Sequence, residues 1–146
     1  MKKIQWPKQG LIFEVPGVRG KGRPRFTRQG ITYTDKKTVE YERLIKNEYL
    51  KHTHYISDKS IRMSIYVCFA PNKSDSKKNK LIKLMNKLWP KKKPDIDNVT
   101  KIVLDALNKV AYEDDTQVNE LHIMRHFDEQ ERLIICLSEN GELFKR

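Results

Sequence analysis

The fold turns on one stretch, Pro94-Asp95-Ile96-Asp97-Asn98-Val99-Thr100-Lys101-Ile102-Val103-Leu104-Asp105-Ala106-Leu107-Asn108-Lys109-Val110. Val99, Ile102, Val103, Ala106, Leu107 and Val110 recur at i, i+3, i+4, i+7, i+8 and i+11, the spacing of one buried helix face. Asn98, Lys101, Asp105 and Asn108 fall on the opposite face. Pro94 disfavours helix before it and Asp97 is a good N-cap, so the pattern predicts a helix over residues 98–110.

The same stretch is acidic inside a basic chain. Asp95 and Asp97 stand one residue apart at the front of this helix, Lys101 follows four residues on, and Glu113-Asp114-Asp115 comes after its end. Clustered carboxylates repel one another and lose solvation if buried, so they call for a compensating cation. Oxygen-only donors suit Mg²⁺ or Mn²⁺ rather than zinc. The spacing equally describes an amphipathic helix with an acidic first turn, which the helix dipole favours without a metal. Pairs of aspartates one residue apart are common, so spacing leaves both readings open. A calcium EF-hand does not fit. With Asp95 as the first position, Thr100 stands where glycine is needed and Ala106 where the bidentate glutamate belongs.

At 146 residues the chain reads as one domain, residues 1–146, large enough for its own core. Thirty Lys+Arg against nineteen Asp+Glu give a net charge of +11. A small protein this basic attracts polyanions, nucleic acid first among them, although charge also serves solubility. Lys2 and Lys3 are not followed by an apolar run, so no signal peptide is expected, and no stretch approaches the length that spans a bilayer. Cys68 and Cys136 lie in apolar runs. They read as small core residues in a reduced compartment, the cytoplasm, rather than as a disulfide or metal site.

Along the chain, residues 11–15 read as a first strand broken by Pro16, Gly17 and Gly20. Gly-Lys-Gly-Arg-Pro-Arg at residues 20–25 is a flexible basic loop, either a solvated connection or a contact for phosphates. Phe26-Thr27-Arg28 and Ile31-Thr32-Tyr33 flank Gln29-Gly30, the pattern of a hairpin with a two-residue loop. Thr34 or Asp35 can cap a helix running to about Lys51, marked by Val39, Tyr41, Leu44, Ile45 and Tyr49. Ile61, Met63, Ile65, Val67 and Phe69 alternate with Arg62, Ser64, Tyr66 and Cys68, the clearest strand in the sequence. Residues 72–92 form a lysine-rich mobile excursion, polar as far as Lys80 and then a short amphipathic helix on Leu81, Ile82, Leu84, Met85 and Leu88. Lys91, Lys92 and Lys93 lead into the acidic motif and fit a site that must draw a polyanion onto its own negative charge. Residues 118–127 read as a strand with His122 and His126 on its exposed side. Residues 133–137 are apolar on both faces, as in a central strand, and the tail after Asn140-Gly141 is expected to fray. The order β, hairpin, α, β, α, α, β, β predicts an α/β (α+β) fold with a mixed sheet covered by helices.

Lys93-Pro94-Asp95-Ile96-Asp97-Asn98 with Lys101, Asp105-Ala106-Leu107-Asn108, and Tyr112-Glu113-Asp114-Asp115-Thr116-Gln117-Val118 closely resemble the RusA family of Holliday-junction resolvases. Lys21-Gly22-Arg23-Pro24-Arg25 and Tyr33-Thr34 are similar to that family too. The match is weakest over residues 72–92. The resemblance implies an Mg²⁺-dependent, structure-selective endodeoxyribonuclease, with Mn²⁺ able to substitute. It would act as a homodimer on branched DNA in recombination and repair, away from membranes. It implies Mg²⁺ binding by Asp95, Asp97 and Asp115, with Asp114 as a helper, and a role in cleavage for Lys101. Lys21, Arg23, Arg25, Arg28, Lys91, Lys92 and Lys93 are the expected DNA contacts. Two rivals are a phage or prophage nuclease for flaps or branched DNA, and a non-catalytic nucleic-acid-binding protein.

One geometric difficulty remains. A helix of about 13 residues is roughly 20 Å long, with Asp95 and Asp97 at its start and Asp115 beyond its end. No glycine or proline in residues 111–114 helps the chain to double back. Two such helices antiparallel across a two-fold axis would set the start of one beside the end of the other. Each site would then take Asp95 and Asp97 from one subunit and Asp115 from its partner.

Overall fold

The structure, a computed structural model, describes residues 5–140. The expectations for Lys2, Lys3 and the tail after Asn140 lie outside them. The elements follow the expected order: β1 (Leu11–Pro16), β2 (Arg25–Phe26), β3 (Thr32–Tyr33), α1 (Lys36–Leu50), β4 (Ile61–Phe69), α2 (Lys77–Leu84), α3 (Ile96–Leu107), a 3₁₀ turn (Asp115–Gln117), β5 (Val118–Phe127) and β6 (Arg132–Glu139). Four strands form a mixed sheet in the order β1-β6-β4-β5. β6 pairs antiparallel with β1 and β4, and β4 pairs parallel with β5. A parallel pair needs a crossover, and the segment carrying α2 and α3 supplies it.

Alternation along each strand decides which face is buried. Phe13 and Val15 of β1, Leu133, Ile135 and Leu137 of β6, and Met63, Ile65, Val67 and Phe69 of β4 share one face in register and are buried. Against them pack Tyr41, Ile45 and Tyr49 of α1 and Val99, Ile102, Val103, Ala106 and Leu107 of α3. The helices cover this face of the sheet. On the other face Ile12, Tyr66 and Met124 are exposed and Ile134 and Cys136 half-buried. β6 is a central strand, as its two-sided apolar pattern predicted. Cys68 and Cys136 are free thiols, and burial raises the pKa of both. His126 differs from expectation. It is half-buried, with Nε2 3.5 Å from Cys68 Sγ, because β5 lies directly beside β4.

Three local readings need correction. The hairpin loop has three residues, Arg28, Gln29 and Gly30, rather than two. Thr27 N donates to Ile31 O (2.8 Å), Gly30 N to Thr27 O (3.0 Å) and Ile31 N to Thr27 Oγ1 (3.0 Å). Gly30, at φ +79°, takes the left-handed position that such a loop requires. α2 starts four residues before Leu81, because Ser76 caps it by accepting from Asn79 N, and it ends at Leu84, before Leu88. A 2.6 Å ion pair from Lys83 to Asp75 ties the helix to the turn before it, although α2 buries none of its residues.

α1 is held by a polar pin. Asp35 caps it, and at its far end the buried Tyr49 hydroxyl accepts from Trp6 Nε1 (3.0 Å) and donates to Tyr55 O. Burial pushes the Tyr49 phenol up to about 12, so it stays a neutral donor at ordinary pH. Tyr49→Phe would leave a buried N–H and a buried carbonyl unpaired. Urea denaturation is expected to show a loss of about 2 kcal/mol with an unchanged m value.

Candidate active site

Asp95, not Asp97, caps α3. Its Oδ1 accepts from Asn98 N at 3.0 Å, and the first helical bond runs from Val99 N to Asp95 O. Both aspartates are competent caps. Each added helical residue adds a hydrogen bond, so the earlier cap that Pro94 leaves free prevails. Asp97 is thereby placed in the first turn, with its side chain 72% exposed and paired to Lys101 at 3.0 Å. Lys101 is 57% exposed. Two carboxylates and an ammonium therefore stand in solvent at the head of a helix whose other face is locked in the core.

The helix also ends earlier than its apolar period suggests. Lys109 takes φ +62°, and Val110 N and Ala111 N both donate to Leu107 O. A lysine in this left-handed conformation costs about 1 kcal/mol. Burial of Ala111 and Tyr112 offsets that cost, and Ser57 N donates to Ala111 O. The chain therefore turns at Lys109 without glycine or proline. The Tyr112 hydroxyl donates to Leu104 O at 2.8 Å, and its pKa is raised by burial first and then by the charges of Asp115, Asp105 and Asp114.

The turn does not carry Asp115 to the head of α3. Lys92 and Arg125 lie over Phe69 at the end of β4, just before α3 begins, whereas Val118 pairs with Ile61 at the start of β4. Twelve residues of helix, about 18 Å, separate the two ends. Asp114 caps the 3₁₀ turn. It accepts from Thr116 N and Oγ1, which hold its carboxyl below the usual range, and Gln117 Oε1 accepts from its backbone N–H. Asp115 is half-buried as the first residue of that turn. Among the described residues, no three of His, Cys, Asp and Glu come close enough together to hold one ion. One chain thus brings together Asp95, Asp97 and Lys101, and leaves Asp114 and Asp115 at the other end of the helix.

The basic loop is strapped rather than flexible. Lys21 N donates to Asn98 O (2.9 Å) and Gly22 N to Thr38 Oγ1 (3.0 Å). A Cβ on Gly20 would lie 2.6 Å from Pro94 Cβ, and one on Gly22 would lie 2.1 Å from Asp35 Oδ2. The glycines permit close approach to α3 and α1. Lys21 is committed to Glu42 (2.5 Å) and Asp105 (3.0 Å). Burial lowers the pKa of its ammonium, but the two carboxylates outweigh that and raise it. Lys21 is therefore a clamp between α1 and α3. Between the strapped loop and the head of α3 opens a cleft of about 490 Å³, lined by Arg19, Lys21, Arg23, Lys93, Asp95 and Asn98 among others. Arg19 was missed in the sequence, although it adjoins the basic run.

The profile of the family described as Endodeoxyribonuclease RusA matches residues 16–138. The chain belongs to the RusA family of endodeoxyribonucleases. It is also 32% identical to the uncharacterized protein YqaN of Bacillus subtilis (strain 168) over 100 residues, 68% of this chain and 70% of that protein. No helix of the described residues is long and apolar enough to cross a membrane. Arg23, Arg25, Arg28, Lys91, Lys92 and Lys93 are exposed. Lys92 is partly engaged, 3.7 Å from Glu131, with its carbonyl accepting from Arg125. Replacing Arg23 and Arg25 together by alanine is expected to weaken binding on every DNA sequence. It should flatten the slope of log K against log salt by about one to two units, one for each phosphate that the pair neutralises. An unchanged slope and affinity would make the loop a solvated connection.

Proposed function

We propose that the chain is an Mg²⁺-dependent, structure-selective endonuclease that resolves four-way junctions by paired nicks, as a homodimer in the cytoplasm. The observation that carries this reading is the exposed Asp95, Asp97 and Lys101 at the head of α3, with Asp95 lining an arginine- and lysine-rich cleft. The donor set fits the metal. Mg²⁺ keeps several waters and is held by one or two carboxylates plus substrate phosphate, and two exposed carboxylates at one helix head match that demand. Mn²⁺ fits the same oxygens.

Asp95 and Asp97 would hold the ion, with Asp115 supplied from a second copy. When bound, Mg²⁺ supplies Lewis-acid charge neutralisation at the phosphate and acidifies water. The rest of the chemistry belongs to side chains. Lys101 exchanges its partner Asp97 for the scissile phosphate and stabilises the charge that grows on its oxygens. Arg19, Arg23 and Lys93 hold the flanking phosphates in the cleft, against which the strapped loop cannot swing away. Both thiols remain reduced in such a compartment.

Cleavage of a four-way junction, a flap and a linear duplex with shared arm sequences tests the reading. The junction is expected to be cut at least tenfold faster than either. Faster flap cleavage would make the chain a flap nuclease. Tight binding without cleavage of any substrate would make it a binding protein.

A further inference from the structure

The hairpin β2–β3 lies outside the main sheet and buries almost nothing. Phe26 is 70% exposed, Ile31 62% and Tyr33 47%. A ribbon with two paired residues per strand has no core of its own to cover these groups. Its two faces differ. Arg25 and Tyr33 pair across the ribbon on one face, and Phe26 and Thr32 on the other. The first face walls an open cleft of about 480 Å³ that also takes in Arg19, Lys36 and Lys37. The one carboxylate lining that cleft, Asp35, is used as the α1 cap. It accepts from Lys37 N, Thr38 N and Thr38 Oγ1, and the Thr38 hydroxyl is the first cause of its lowered pKa. Four cations therefore face one carboxylate that is already satisfied. The opposite face offers a bare phenyl ring.

A ring backed by cations matches nucleic acid, with phosphates for the cations and a base face for the ring. An intact duplex keeps its base faces stacked on one another. A free face exists only where stacking is interrupted, as at a branch. Building on the branched-DNA function set out above, we propose that the β2–β3 hairpin is a branch-point wedge. Phe26 stacks on the base pair exposed at the branch, while Arg19, Arg25, Lys36 and Lys37 take the phosphates of the departing strand. This assigns the recognition of branched structure to Phe26, a residue outside the candidate carboxylate site.

The test uses the full chain in EDTA, so that cleavage does not intervene. A four-way junction carries 2-aminopurine at a branch-point position, and its affinity is compared with that of a linear duplex of the same sequence. The parent is expected to raise 2-aminopurine fluorescence on the junction. Phe26→Ala should abolish that rise and lose about tenfold in junction affinity, the worth of one stacked base, with duplex affinity unchanged within about twofold. Phe26→Tyr should keep both properties. Phe26 is exposed, so an unchanged urea midpoint is expected for both variants. Junction binding by Phe26→Ala equal to the parent's, or an equal loss on junction and duplex, overturns the wedge. A parent that prefers the junction but raises no fluorescence also overturns it and leaves the nuclease reading intact. A parent with no preference for the junction overturns both.

Discussion

Asp97→Asn is expected to stop Mg²⁺-dependent cleavage of a four-way junction while leaving junction binding intact or slightly tighter. The side chain stands in solvent in the first turn of α3, and the only ion pair it makes among the described residues is with Lys101 at 3.0 Å. An asparagine of the same shape leaves the core and the Asp95 cap untouched, so a loss of activity cannot be a loss of fold. It does remove a charged oxygen donor from the position where the proposed function needs a hard cation. The expected fall is on the order of a hundred- to a thousandfold, the scale for losing one preorganised electrostatic group. Binding escapes because a negative charge near the phosphate backbone has gone. Asp115→Asn should behave in the same way, and Lys101→Ala should also separate binding from cleavage. Single-turnover rates beside equilibrium affinity decide each case. A variant that cuts at near the parent rate removes that residue from the site.

Mixing these two variants should restore activity that neither has alone. Within one chain Asp97 stands at the head of α3 and Asp115 beyond its foot, about 18 Å of helix apart. Mg²⁺ holds its ligands at about 2.0–2.1 Å. The turn at Lys109 folds the chain back only far enough for Tyr112 to reach Leu104. Asp97 and Lys101 are exposed, and in the proposed dimer a second α3 lying antiparallel would bring Asp115 of the other copy alongside. If Asp97→Asn subunits exchange with Asp115→Asn subunits, a heterodimer then holds one doubly substituted site and one intact site. Nicking of a single strand should reappear. Continued inactivity despite verified heterodimers would mean that each site is built within one chain.

How far these features were legible depends on the range of the interaction behind them. Ile61, Met63, Ile65, Val67 and Phe69 announced β4 because all five meet one core, and period two leaves no other face for them. The buried face of α3 was readable for the same reason from Val99 to Leu107, but Val110, counted in that face, lies beyond the helix end and is half-buried. The ends of α3 were not. Asp95 and Asp97 are chemically equal caps, and the left-handed Lys109 is stabilised by tertiary packing of Ala111 and Tyr112 that no local pattern carries. Gly20 and Gly22 suggested freedom, whereas they are needed where the backbone presses on Pro94, Asn98 and Asp35. The candidate acids of α3 were visible as a cluster in sequence. Their separation was legible too, because Asp115 falls beyond the end of α3 in the sequence, and the pairing of β5 with β4 fixes Asp115 at the far end of the sheet.

The most direct measurement maps the cuts on a synthetic four-way junction labelled on each strand in turn, with Mg²⁺ or with EDTA. The proposed function predicts symmetric nicks in two opposed strands with Mg²⁺, and junction bound but uncut with EDTA. Cleavage that persists in EDTA, or nicks without two-fold symmetry about the branch, would contradict it.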